Sequence, residues 1–122
     1  MYWEINFNSD EAIYIQLRNH IIIGIATEQI SEGEILPSVR QMANHIGINM
    51  HTVNKTYTIL KEEGFIKLDK RKGAMIALDI DKLKAKIEFA EFMKVILAKA
   101  VCQNISRAEI HEIVDNILDN YI

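Results

Sequence analysis

Two clusters of side chains in this chain of 122 residues carry chemistry suited to a polyanion with readable edges. The first gathers Arg40, Met50, His51, Thr52, Asn54 and Lys55, and the second is the run Lys70-Arg71-Lys72. Arginine and lysine donate to phosphate oxygens and hold a protein on a duplex without reading its sequence. Arg40, Lys55, Lys70, Arg71 and Lys72 suit that role. His51, Thr52 and Asn54 suit base edges instead: an asparagine amide can pair with N6 and N7 of adenine, and a Thr or Met methyl can meet the thymine methyl. Singly, each of these residues is most simply part of a solvated surface. Their meaning comes from the elements that would hold them.

Those elements are written into the segment from Pro37 to Gly73. Ser38 stands three residues before Gln41, the spacing of a capping box, so a helix is expected to begin there. Val39, Met42, Ala43 and Ile46 recur at three and four residues as one apolar stripe, and Gly47 stands where a helix ends in a left-handed residue. Asn49 is expected to cap a second helix that turns Val53, Tyr57 and Leu60 inward and leaves His51, Asn54, Lys55, Thr58 and Lys61 outside. After Gly64, Phe65 to Leu68 and Ala74 to Leu78 read as the arms of a hairpin with the three cations at its tip. Helix, turn, helix and basic ribbon in that order predict a winged helix-turn-helix, which lays its second helix in the major groove of duplex DNA.

The same residues carry a family resemblance. From Ala12 to Ala77 the chain resembles the DNA-binding domain of the GntR transcription regulators. Ile13-Tyr14-Ile15-Gln16 matches the IYxQ start, and Leu36 to Ala43 matches the LPSxRxxA helix. Gly47, Thr52-Val53, Tyr57 and Leu60 match the GxxxxTVxxxYxxL recognition helix, and Glu63-Gly64-Phe65-Ile66 matches the EGxI entry to the wing. The resemblance implies DNA contact through Arg40, the first residues of the recognition helix and the wing tip. Met50 and Asn54 stand where many members carry arginine, and Arg71 stands where the wing commonly has the first glycine of a GxG pair. Glycine lets backbone approach the minor groove closely, whereas arginine must insert its side chain. Residues 79–122 resemble the short two-helix tail of the YtrA branch.

Charge is partitioned along the chain. Residues 36–78 hold seven Lys or Arg against three Asp or Glu, residues 1–35 one against six, and residues 79–122 six against eight. A basic reading head on an acidic body favours site-directed binding over indiscriminate coating. Ahead of the reading segment, the pattern predicts a short strand around Trp3 to Phe7. A helix capped by Ser9 or Asp10 follows, with Ile13, Leu17, Ile21, Gly24 and Ile25 inward. A turn at Ile30 to Glu34 and a small strand at Ile35-Leu36, pairing with the wing, complete that head.

Beyond the hairpin, Leu83, Ile87, Ala90, Met93 or Lys94, and Leu97 trace one stripe from Asp79 onward, and Phe89, Phe92, Ile96 and Val101 trace a second. Ser106 and Glu109 make another capping box, ahead of a face of Ile110, Ile113, Val114, Ile117, Leu118 and Tyr121. Two helices cannot bury all of this alone, so a homodimer through the C-terminal helices is expected, as a four-helix arrangement. The fold class is thus mostly α with a small β-wing (α+β). Residues 1–78 form a winged helix-turn-helix DNA-binding domain and residues 79–122 a two-helix dimerisation domain.

Other chemistry has no footing. The chain has no Gly-rich phosphate loop, no HExxH and no paired-cysteine spacing, so no catalytic residue, cofactor or metal is expected and the protein is not read as an enzyme. His20, His45, His51 and His111 are scattered, and Cys102, the sole cysteine, reads as a small buried hydrophobe compatible with a reducing compartment. No apolar run reaches membrane-spanning length and no leader pattern appears, which predicts a cytoplasmic protein with no membrane partner. The expected function is a sequence-specific transcription regulator, a repressor whose homodimer binds a palindromic operator in double-stranded DNA. A small-molecule effector, if one exists, is expected between the tail helices or between tail and head, where Phe89, Phe92, Met93 and Tyr121 are available to line a pocket; the simpler reading of these four is ordinary core. The competing expectation is a protein-interaction adaptor that uses a winged-helix scaffold without touching DNA.

Overall fold

Residues 4–122 are described by a computed structural model, with elements in the order α1 (Ile13–Ala26), α2 (Val39–Ile46), α3 (Met50–Glu62), β1 (Ile66–Asp69), β2 (Gly73–Ile76), α4 (Lys82–Cys102) and α5 (Arg107–Asp119). The chain divides into two compact units, Met1–Asp79 and Ile80–Ile122.

Local chemistry sets the helix ends of the first unit. The Gln41 amide donates to Ser38 Oγ (3.1 Å) while the Ser38 amide donates to Gln41 Oε1 (3.0 Å), so α2 starts on a complete capping box. Gly47 ends it in the left-handed region at φ 80°, and its amide donates to the Ala43 carbonyl. Two residues later Asn49 Oδ1 accepts from the His51 amide (2.7 Å) and starts α3. The turn between the helices is fixed at both ends by side-chain and backbone chemistry that lies within it.

Packing then orients the helices. Leu17 and Ile21 of α1, Met42 and Ala43 of α2, and Val53, Tyr57 and Leu60 of α3 are buried together with Ile66, Ala74 and Ile76 of the hairpin. Thr56, buried between α1 and α3, donates to the Tyr14 carbonyl (2.9 Å). The Tyr57 hydroxyl donates to the Pro37 carbonyl (2.6 Å), and burial raises its pKa well above the ordinary phenol range. This bond ties α3 to the residue that precedes α2.

The hairpin pairs Ile66 with Ile76, Lys67 with Met75, Leu68 with Ala74 and Asp69 with Gly73 in antiparallel register. The expected strand at Ile35-Leu36 is present as a single antiparallel bridge from Ile35 to Met75. Amides of Gly33 and Leu36 donate to Ile76 and Ala74 carbonyls, and the Ile76 amide donates back to Glu34. The wing is therefore held against the segment leading into α2.

The N-terminal expectation is corrected. Trp3 lies outside the described residues, and residues 4–7 form no strand. Helix α1 starts after Ala12 without a side-chain cap, and Ser9 Oγ accepts from the Glu11 amide in the turn before it. The reason lies in Gln16. The residue is 8% exposed, and its carboxamide accepts from the Asn6 amide (2.9 Å) and donates to the Asn6 and Glu11 carbonyls. A buried side chain supplies the hydrogen bonds that a sheet partner would have given.

In the second unit, Asp81 caps α4 by accepting from the Lys84 amide (3.1 Å). Ser106 and Glu109 start α5 on a capping box, with bonds of 3.1 and 2.9 Å, and hydrogen bonds from the Ser106 amide and then its hydroxyl to the Glu109 carboxylate lower the Glu109 pKa. No residue of α4 or α5 is buried. Cys102 is accordingly exposed, against the expectation of a buried hydrophobe. Phe89 and Phe92 are exposed and Met93 and Tyr121 half-buried.

Candidate nucleic-acid interface

Three elements of the first unit supply the candidate side chains. Arg40 is exposed in the first turn of α2. Met50, at the first position of α3, is 45% exposed, followed by exposed His51, half-buried Thr52 and exposed Asn54 and Lys55. Val53, Thr56, Tyr57 and Leu60 occupy the buried side of the same helix, so core packing fixes which residues α3 offers to solvent. Packing of one face thus sets the orientation of the other.

Lys55, though exposed, has an aromatic neighbour. Its ammonium lies 3.9 Å from the centre of the Tyr14 ring, a cation–π contact that also places the lysine stem against α1. Arg18 reaches Glu63 at 3.2 Å, a part-exposed pair joining α1 to the end of α3 and worth at most about 1 kcal/mol. Tyr14 and Gln16 of the IYxQ motif thus do different work, one against α3 and the other against the N-terminal segment.

Lys70, Arg71 and Lys72 are exposed in the loop between β1 and β2. Asp69, the last residue of β1, shapes that loop. Its Oδ1 accepts from the amides of Arg71 (2.7 Å) and Lys72 (3.0 Å), and those two bonds hold its carboxyl below the usual aspartate range. Aspartate bonding to amides two and three residues on is a local turn signature, so the signal was available in Asp69-Lys70-Arg71-Lys72-Gly73. Gly73, at φ 92°, takes the left-handed conformation that lets the chain re-enter β2.

The geometry is that of a helix-turn-helix followed by a basic wing. Residues 10–76 match the family described as bacterial regulatory proteins, gntR family. The chain belongs to the GntR family. Among solved structures, this GntR chain is similar to a transcriptional antiterminator from Listeria monocytogenes EGD-e at 31% identity, over 100% of this chain and 94% of that one, with a TM-score of 0.89. YtrA from Sulfolobus acidocaldarius, a GntR-family transcription factor, is 32% identical over 95% of this chain and 96% of its own, with a TM-score of 0.58. The uncharacterized HTH-type transcriptional regulator YhcF of Bacillus subtilis (strain 168) is 31% identical over 84 residues, which are 66% of this chain and 69% of that protein. Both structural likenesses run through the tail as well as the head. Its GntR head makes the chain a DNA-binding transcription regulator, of a family that regulates rather than catalyses.

Among the described residues, no group of three or more His, Cys, Asp or Glu side chains is placed to hold a metal ion. Among the same described residues, no helix is long and apolar enough to cross a membrane.

Proposed function

We propose that this GntR protein is a cytoplasmic repressor whose homodimer, joined through residues 79–122, occupies a palindromic promoter site and blocks polymerase. The observation that carries the reading is the exposed apolar surface of the tail, which includes Phe89, Phe92 and Ile96 on α4 and Ile117 and Leu118 on α5. Apolar area of that kind is stabilised by association, and a second copy gives the closed twofold arrangement. Two heads on one twofold axis would then address two half-sites of an inverted repeat. In this reading residues 1–78 are the DNA-binding domain. Arg40, Lys55, Lys70, Arg71 and Lys72 hold phosphates, while Met50, His51, Thr52 and Asn54 face base edges. A small-molecule effector would act by altering the separation of the two heads.

A salt titration tests the DNA contacts. Affinity should fall linearly in log K against log salt, and Lys72→Ala should reduce that slope by about 1. An unchanged slope would remove Lys72 from the phosphate contacts. Absence of duplex binding at every salt concentration would favour the adaptor reading.

A further inference from the structure

The reading face of α3 is unusual in what it does not offer. From Met50 to Thr58 its one cation is Lys55, whose ammonium is engaged over the Tyr14 ring at 3.9 Å. Recognition of guanine in the major groove draws on Arg or Lys donating to O6 and N7. Asn54 is exposed, and its carboxamide makes no hydrogen bond to the described residues; the Thr58 hydroxyl donates to its backbone carbonyl, not to its side chain. That carboxamide presents an acceptor beside a donor, the complement of adenine N6 and N7. Met50, the first residue of the helix and 45% exposed, adds an apolar methyl of the kind that meets the thymine C5-methyl.

The wing tip is a second, independent reader. Because Asp69 accepts from the amides of Arg71 and Lys72, those amides are satisfied within the loop and are not offered to phosphate. Arg71 and Lys72 are thus left to act through their side chains. Of the three tip cations, the guanidinium of Arg71 is the more weakly hydrated type of cation and so the better suited to a narrow groove. A·T-rich tracts have a narrow minor groove with enhanced negative potential that attracts such a side chain.

Resting on the regulator reading above, we propose that each operator half-site is A·T-selective in two separate places. One is the set of major-groove edges under Asn54 and Met50; the other is a flanking minor groove entered by Arg71, with Asp69 as the positioning residue for the tip. The half-site is thereby read twice for the same base composition, once by hydrogen-bond pattern and once by shape.

The test begins with selection from a random duplex library by the full-length protein at near-physiological salt. Each selected A·T pair is then replaced by inosine·cytosine, which keeps the minor-groove face of A·T but presents the major-groove edge of G·C. Under α3 that replacement should weaken binding on the order of tenfold per pair. In the flank it should leave affinity almost unchanged, while true G·C there weakens it. Asn54→Ala should relax selection under α3 alone. Arg71→Lys should keep the salt slope and lose the flanking preference. An enriched inverted repeat with G·C fixed under α3, or a flank indifferent to G·C, would overturn the inference and leave the regulator standing. Retained flank selection in Arg71→Lys would overturn the role given to Arg71. Enrichment of no sequence at all would overturn both the inference and the regulator reading on which it rests.

Discussion

Leu17, Met42 and Leu60 of the first unit are wholly buried, whereas α4 and α5 of the second bury no residue at all. The two units share their local devices. Ser38 with Gln41 and Ser106 with Glu109 make the same capping box, and Asn49 and Asp81 each cap a helix with one side-chain oxygen. What differs is closure. Three helices and a hairpin enclose their apolar side chains, while Phe92 of the two-helix tail stays 75% exposed. Helix initiation is local chemistry, but burial needs a third surface, and stability of a surface closed by a partner depends on concentration.

The largest effect expected from breaking that contrast comes from truncation after Leu78. The remaining head should fold, sediment as a monomer and bind its site roughly a hundred- to ten-thousand-fold more weakly, as expected when two linked heads become one. A dimer persisting after truncation would remove the tail from the interface. Next in size is Leu60→Ala, which should cost the head about 2–5 kcal/mol in denaturant unfolding, independently of protein concentration. Phe92→Ala should leave that transition in place and shift the monomer–dimer equilibrium instead. If both variants acted alike, the contrast between a closed and an open unit would be wrong.

Smaller and more symmetric effects sharpen the comparison. Ser38→Ala and Ser106→Ala should each cost about 1 kcal/mol, one in the head and one in the tail, as read by the unfolding of each unit. Acidification should be similarly even-handed. Asp69 and Glu109 both have pKa values held down by hydrogen bonds to amide groups, so each contributes stability that is present above the ordinary carboxylate range and lost as pH falls through the lowered value. Hydrogen exchange at the Arg71, Lys72 and Ser106 amides should stay protected until pH drops below that range. Loss of protection near neutrality would mean that the carboxylates do not control these turns.

Most of the head was legible because its signals are short-range. Ser38, Gly47, Asn49 and Gly64 each act within a few residues, and Val53, Tyr57 and Leu60 keep helical spacing, so the helix-turn-helix could be read in order. The N-terminal segment was misread because its support is a side chain ten residues away. Gln16 looks like any polar helix residue, and nothing in its neighbours says that it replaces a sheet edge for Asn6. The wing was foreseen, but the role of Asp69 was hidden behind the three cations that follow it. Cys102 was assigned to a core on apolar pattern alone, and pattern shows which face wants cover without showing what covers it.

The most direct measurement is the stoichiometry of the full-length protein on the selected duplex, by sedimentation with the intact inverted repeat and with a single half-site. The reading of paired heads on an open, self-covering tail predicts two chains on the inverted repeat at the concentration where they first bind, and a marked loss of affinity on the single half-site. One chain per duplex, with equal affinity for both DNAs, would contradict it.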